Sequence, residues 1–424
     1  MTSTAPFADE TQPLAIRVGR LLDVQSGELS GPRTILVREG RVGAIATPEE
    51  GIPDGVRVVD VGTLTVLPGF IDTHSHLVGE VQTAGVPATT TSGAQDAMLS
   101  VRNARVTVEA GFTAVRDVGT FRAFVDCALR DTIDAGELQG PRMQCAGAFI
   151  TSPWGGGDVV GLAHDIVLPP DLRFGVVTTP AEVRDRVRRL LIGGADLIKC
   201  IGTGAVLTQG GVPGAPELGE DEIRAAVEEA GHYGAFVAVH AHSDEGARRA
   251  IRSGARSVEH GSMLGADTIA MLADAGTYLS VDLYDGEWAL EHGDEEHWPA
   301  ETMRKLRETM DSGVAAFRMA VERGVRVTYG SDSGVYPHAE VANQFDSFVR
   351  FGMTPLQAIR SATITAAECM GWDDRVGTLR PGRYADLVAV DGDPLGDVRL
   401  LERPAAVIKG GRMVVDHRSP APAT

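Results

Sequence analysis

The sequence predicts an α/β protein, a (β/α)8 TIM barrel carrying a small β-sandwich domain formed by both chain ends. Three observations lead there. Strand and helix patterns alternate through residues 66–371, as expected of a parallel sheet with crossover helices. Residues 1–65 and 372–424 read instead as short strands between turn residues. Side chains able to bind a metal recur at the ends of predicted strands, and in a barrel those ends meet on one face.

Taken in order, residues 14–18, 34–37, 41–45 and 56–59 alternate or run apolar between Gly, Pro and Asp, the pattern of short strands. Residues 386–390, 405–408 and 413–415 have the same character. Neither end can bury much alone, so the two are expected to join. The barrel strands are expected at 66–76, 113–118, 143–149, 197–201, 236–240, 257–260, 277–281 and 326–330. That number of strands in about 300 residues suits a (β/α)8 barrel. Between them, 180–191 reads as a helix with Thr179 as N-cap and Pro180 in its first turn, a favoured start. Residues 221–230 read as amphipathic helix. An open doubly wound sheet would require a GxGxxG loop after an early strand, and there is none. Residues 150–171 and 282–300 show no clear pattern. They are expected to be long loops on the C-terminal face, where such loops are usually functional.

Composition narrows the function. A net charge of −19 disfavours nucleic acid and anionic membrane surfaces, both of which need clustered Lys and Arg. Cys127, Cys145, Cys200 and Cys369 are far apart, with no CxxC, and read as core residues of a reduced protein. No signal peptide is visible at the N-terminus and no run of about 18 apolar residues exists, so a cytoplasmic location is expected.

The chemistry starts at Leu67-Pro-Gly-Phe-Ile-Asp-Thr-His-Ser-His-Leu77. Side chains alternate along a strand, so His74 and His76 point the same way, and two converging imidazoles can bind a divalent cation. Lys199 falls at the end of the fourth strand, His240 of the fifth, His260 of the sixth, and Asp332 just after the eighth. Each has a plain alternative: a hydrogen-bonded core histidine, a lysine paired with a carboxylate, an Asx-turn in Gly330-Ser-Asp-Ser-Gly334. Those alternatives leave the joint placement unexplained.

Pro68-Gly-Phe-Ile-Asp-Thr-His-Ser-His76, Leu197-Ile-Lys199, His240-Ala-His242, Val258-Glu-His-Gly261, Gly330-Ser-Asp-Ser-Gly334 and residues 377–387 together resemble the metal-dependent amidohydrolase superfamily. The blocks around His240 and His260, with Tyr336-Pro-His338, resemble its Xaa-Pro dipeptidase and imidazolonepropionase-like branch, which includes ochratoxin-hydrolysing and N-acyl amino acid hydrolases. The resemblance implies two divalent ions, with zinc expected. His74 and His76 would bind one and His240 and His260 the other. Lys199, carboxylated by carbon dioxide to N6-carboxylysine, would bridge them, and Asp332 would bind the first. A free Lys is a cation and cannot ligate; its carbamate can.

The implied reaction is cleavage of a C–N bond in a small molecule, such as a dipeptide, N-acyl amino acid or aryl amide, by a metal-bridging hydroxide. Asp332 would pass the proton to the leaving nitrogen, and His242 would help hold the oxyanion. Carbamates, ureas and cyclic amides are alternative substrates. His242-Ser-Asp-Glu245 also matches the HxxE of mononuclear deaminases, although these need no bridging lysine. A binding scaffold without activity would be expected to lack a ligand, and all six residues are present. The chain departs from some relatives in Trp154-Gly-Gly-Gly-Asp158, where they carry a histidine, and at Ala205, where a Gly is frequent.

The segments expected after the strands, 78–101, 150–172, 203–221, 282–301 and 335–344, contain neither Lys nor Arg. They contain Trp154, Tyr284, Trp288, Trp298 and Tyr336 among many acids. A substrate carboxylate is normally met by Arg or Lys, so a neutral, aromatic or cationic substrate is expected rather than a polyanionic one. Trp154, Tyr284, Tyr336 and His338 are the candidate substrate residues. Arg122 or Arg173 could instead swing in to meet a carboxylate. The expected partners are a small-molecule substrate and further copies of the chain in a homo-oligomer, without nucleic acid or membrane.

Overall fold

A computed structural model describes residues 13–79, 87–163 and 165–418. The N-terminal stretch read for a targeting signal, and residues 80–86 of the cation-free segment after the first strand, lie outside the described residues.

The barrel strands are Phe70–Ser75, Phe112–Asp117, Arg142–Cys145 continued by Phe149–Ile150, Ile198–Ile201, Val237–Ser243, Ser257–Met263, Tyr278–Val281 and Val327–Tyr329. Within the two runs of the ladder, 70–145 and 149–329, every paired neighbour is parallel. The last strand returns to the first through a parallel bridge between Ser75 and Ser333. Asp332 N donates to His74 O at 2.8 Å and His76 N to Ser333 O at 3.0 Å. The closure therefore runs through the candidate ligands His74, His76 and Asp332.

Two expected strands are broken, each at a glycine. The third is interrupted at 146–148, where Gly147 has φ +76° and its N–H donates to Asp126 Oδ2 at 2.8 Å instead of to a neighbouring strand. The first divides at Gly69. Thr65–Pro68 pairs with Leu387–Val390 and Arg20–Asp23 in the end domain, whereas Phe70–Ser75 enters the barrel. A Cβ at Gly69 would lie 2.1 Å from Thr113 Oγ1, so only glycine lets the second barrel strand pass this close.

The chain ends form two sheets. One orders Arg41–Ala46, Arg33–Arg38, Leu14–Val18 and Arg57–Asp60; the other orders Arg412–Asp416, Ala406–Lys409, Leu387–Val390, Thr65–Pro68, Arg20–Asp23 and Glu28–Ser30. Ile16, Ile35 and Val66 from one end pack with Leu387 and Ile408 from the other in a single core. Each such buried side chain contributes about 1.5–3 kcal/mol, which explains why two weak β segments are stable together. The hairpin of Arg20–Asp23 and Glu28–Ser30 was not legible in the sequence.

The helix Pro180–Ile192 is capped as its sequence suggests, Thr179 Oγ1 accepting from Glu182 N at 3.2 Å. Residues 282–300 depart from the expected loop by containing the helix Tyr284–His292. It has no side-chain N-cap and a glycine at 286, so local signals were weak. Burial of Trp288 against Trp298 and Tyr336 supplies the driving force instead. No helix among the described residues is long and apolar enough to cross a membrane, and all four cysteines are buried and free.

Candidate metal centre

At the C-terminal ends of the barrel strands, His74, His76, Lys199, His240, His242, His260 and Asp332 line one cavity. Asp332 Oδ1 lies 3.5 Å from His74 Nε2 and 3.3 Å from His76 Nε2. Lys199 Nζ lies 3.4 Å from His74 Nε2. The His260 ring stands 4.6 Å from that of His74 and 4.4 Å from that of His240, and His242 is 4.6 Å from His240. His260 (φ 69°) and Asp332 (φ 52°) have left-handed backbones, a conformation that costs energy in non-glycine residues and concentrates at functional sites.

Three of the histidines are anchored through Nδ1. Nδ1 of His74 meets Glu259 Oε2 at 2.8 Å, Nδ1 of His76 meets Gly119 O at 2.8 Å, and Nδ1 of His260 meets Asp282 Oδ2 at 2.6 Å. Each of these oxygens accepts, so Nδ1 carries a proton, and in His74 and His260 Nε2 is left with the lone pair of a metal-binding imidazole; His76 differs, because Asp332 beside its Nε2 pushes it up against the effect of burial. Burial pushes His74, His240 and His242 well below the usual imidazole range, and their neighbours His260 and Lys199 push the same way. Burial opposes ionisation of Asp332, but His74 and His76 outweigh it and hold the carboxyl well below its usual range.

The donor set is incomplete by itself. Lys199 is 1% exposed and burial draws its amine down to about 8. No carboxylate lies within ion-pair distance of it among the described residues, which removes the plain reading of a lysine held by an acid. Buried charges are normally paired. His240 Nε2 is buried without a hydrogen-bond partner among the described residues. Ligand atoms of His74, His76 and Asp332, and likewise of His260, Asp282 and Asp332, lie within 4.8 Å of one another. Ring nitrogens and carboxylate oxygens that converge in this way, with His240 Nε2 unpartnered among the described residues, fit a cation.

Several supporting residues were missed from the sequence. Glu259 orients His74 and is itself paired with Arg116, whose Nη2 lies 2.9 and 3.0 Å from its two oxygens. Arg116 Nε also donates to Thr73 O at 2.5 Å. Asp72 Oδ1 accepts from the N–H groups of both His74 and Ser331 at 3.0 Å, tying the first strand to the loop that carries Asp332. Asp282 orients His260. The available signal was a charged residue inside an otherwise buried strand, which persists only when paired.

The four candidate substrate residues lie elsewhere. Trp154 is 60% exposed. The Tyr284 hydroxyl donates to Glu340 Oε2 at 2.7 Å, and its ring packs 5.1 Å from that of Tyr336. Among the described residues the Tyr336 hydroxyl and His338 Nε2 are buried without hydrogen-bond partners, and burial draws His338 down to about 3. None of the four is among the cavity-lining residues; the apolar wall comes from Phe121, Phe149, Ile201, Leu207, Leu306 and Met310. Arg122 is paired with Asp96 and Asp171, and Arg173 with Asp158. Glu245 of the HxxE pattern is exposed on its helix and paired with Arg249 at 2.8 Å.

The fold has close counterparts. A solved Xaa-Pro dipeptidase with methionine bound in its active site is 34% identical with a TM-score of 0.89, covering 95% of this chain and 99% of that one. Ochratoxinase of Aspergillus niger is 28% identical over 370 residues, 82% of this chain and 75% of the enzyme. Imidazolonepropionase of Symbiobacterium thermophilum is 26% identical over an alignment 444 positions long, covering 95% and 97% of the two chains. Residues 65–414 match the description of the amidohydrolase family, from the strand where the end domain meets the barrel to the last strand of that domain, and the chain belongs to this family.

Proposed function

We propose that this metal-dependent hydrolase cleaves an amide or peptide bond of a small neutral, aromatic or cationic molecule, a dipeptide first among the candidates, with two divalent cations, zinc expected, in the cavity. His74, His76 and Asp332 would hold one cation and His240 and His260 the other, with carboxylated Lys199 between them. The observation that carries this reading is Lys199, buried beside His74 with no carboxylate at ion-pair distance among the described residues. A carbamate on its nitrogen would exchange an uncompensated cation for an anionic oxygen donor. The resemblance to an Xaa-Pro dipeptidase and an ochratoxinase favours an amide among the C–N bonds.

When bound, the cations would supply Lewis acidity for the substrate carbonyl and acidify a water for attack. The chain supplies the rest. Asp332, kept ionised between His74 and His76, accepts a proton and returns it to the leaving nitrogen. Ser262 Oγ lies 2.5 Å from His242 Nδ1; with that hydroxyl donating, Nε2 carries the proton and can donate to the developing oxyanion. The apolar wall excludes bulk water and strengthens these interactions.

The test is Lys199→Ala, assayed with an array of dipeptides, N-acyl amino acids, aryl amides and carbamates, with and without formate or acetate. Loss of activity and of cation binding, partly restored by the added acid, supports the reading. An unchanged rate contradicts it.

A further inference from the structure

The helix Ala300–Arg323 turns one face to the cavity. Leu306, Thr309, Met310 and Gly313 line it, at the spacing of residues stacked on one side of a helix. At Gly313 this face is pressed against the sixth barrel strand, where a Cβ would lie 3.3 Å from Ser262 Cβ. Ser262 Oγ is in turn 2.5 Å from His242 Nδ1. Met310 lies about one turn earlier and is half-buried. It meets the helix Tyr284–His292 at Gly286, where a Cβ would lie 2.9 Å from Met310 Sδ. A second apolar wall is built elsewhere. Phe149, at the end of the third strand, has its ring 5.7 Å from that of His76 and 5.3 Å from that of Phe121, which follows the second strand. In a ring of eight strands the second and third stand across from the sixth and seventh, so the two walls flank the site.

We propose that the amide binds with its leaving amine toward Phe121 and Phe149 and its acyl chain along the Leu306–Met310 face, and that Met310, seated against Gly286, limits how large that acyl chain can be. The inference rests on the amide-hydrolase reading and sharpens it, because it gives each half of the substrate its own wall. The proton for the leaving nitrogen comes from Asp332, which sits against His74 and His76, on the Phe149 side. The oxyanion is held by His242, which sits against Ser262, on the Met310 side. Nitrogen and acyl chain diverge from the carbonyl carbon, so a nitrogen facing Asp332 sends the chain toward Met310. Glycine at 286 leaves the thioether room. A methyl group there would push it, the end of a flexible unbranched side chain, into the cavity, whereas truncating Met310 would lengthen the cavity. One methylene in an apolar pocket changes selectivity by about 10- to 200-fold.

The test compares 4-methylpentanoyl with 5-phenylpentanoyl 4-nitroanilide on the zinc-loaded enzyme, on Met310→Ala and on Gly286→Ala. A second pair varies the other half, the anilide and the 2-naphthylamide of 4-methylpentanoic acid. In parallel, titration calorimetry compares 4-methylpentanamide with 5-phenylpentanamide. The ratio of kcat/KM for the larger acyl group over the smaller should rise about tenfold or more in Met310→Ala and fall by a similar factor in Gly286→Ala, while the ratio within the leaving-group pair stays the same. An acyl ratio unmoved in both variants overturns the proposal, as does a change in the leaving-group ratio in place of the acyl ratio. Affinities for the two amides that follow the predicted order in the three proteins, without cleavage of any anilide, would uphold Met310 and count against the amide-hydrolase reading alone.

Discussion

Glu259→Gln is the perturbation that most directly joins stability to metal binding. Glu259 is 0% exposed and accepts from His74 Nδ1 at 2.8 Å and from Arg116 at 2.9 and 3.0 Å. Ser257 Oγ donates to the same carboxylate. Burial works against its ionisation, but Arg116 and Lys199 hold its carboxyl below the usual range. Glutamine keeps the shape but has one acceptor end and one donor end. If its oxygen faces His74, its NH2 faces the guanidinium of Arg116, and the reverse orientation opposes two donors at His74. Either way Arg116, with a side chain 3% exposed, keeps a buried charge without its anion. Removing one partner of such a pair costs about 3–5 kcal/mol. At about 2.1 cal/mol/K per residue, the 424 residues give an unfolding entropy of about 0.9 kcal/mol/K, so Tm should fall by about 3–6 °C. Losing the carboxylate that orients His74 should also weaken metal binding by about 10- to 100-fold. Calorimetric melting of the apo and zinc-loaded variant, with competitive chelator titration, reads both effects. An unchanged Tm together with an unchanged zinc affinity would refute the reasoning.

Asp332→Asn preserves size and tolerates the left-handed backbone as well as aspartate does, so it should keep its fold and most of its metal while losing turnover by on the order of 10² to 10⁴; steady-state kinetics with elemental analysis decides, and near-normal turnover would remove Asp332 from proton transfer. Gly69→Ala places a methyl group against Thr113, whose Oγ1 would be 2.1 Å away, and should lower stability by about 1–3 kcal/mol through overpacking; a melting curve superimposable on that of the unaltered protein would show that the join between end domain and barrel is not tight.

Much of this architecture is legible in the sequence because barrel strands are long buried runs and the chemistry sits at their ends. His74, His76, Lys199, His240, His260 and Asp332 could each be placed by position alone, and the closing residues Ser75 and Ser333 lie beside three of them. The breaks were harder to foresee. Gly69 lies inside an uninterrupted apolar run, and only the approach of Thr113 reveals that the run serves two sheets. The helix Tyr284–His292 forms without a side-chain N-cap, through tertiary burial of Trp288. The orienting carboxylates were hidden for another reason. Glu259 and Arg116 stand on strands far apart in sequence, and each is improbable in a core until the barrel brings them within 2.9 Å. Trp154 is a candidate substrate residue in a glycine-rich loop by sequence, and in the structure it has φ 64°, is 60% exposed and is not among the cavity-lining residues.

The central claim is a pair of cations joined through a carboxylated Lys199. Titrating zinc into the apo-enzyme in bicarbonate buffer, while following amide hydrolysis and bound metal by elemental analysis, tests it most directly. The account predicts that activity rises until two zinc ions are bound per chain and falls when bicarbonate and carbon dioxide are removed. Full activity at one ion per chain, independent of bicarbonate, would contradict it.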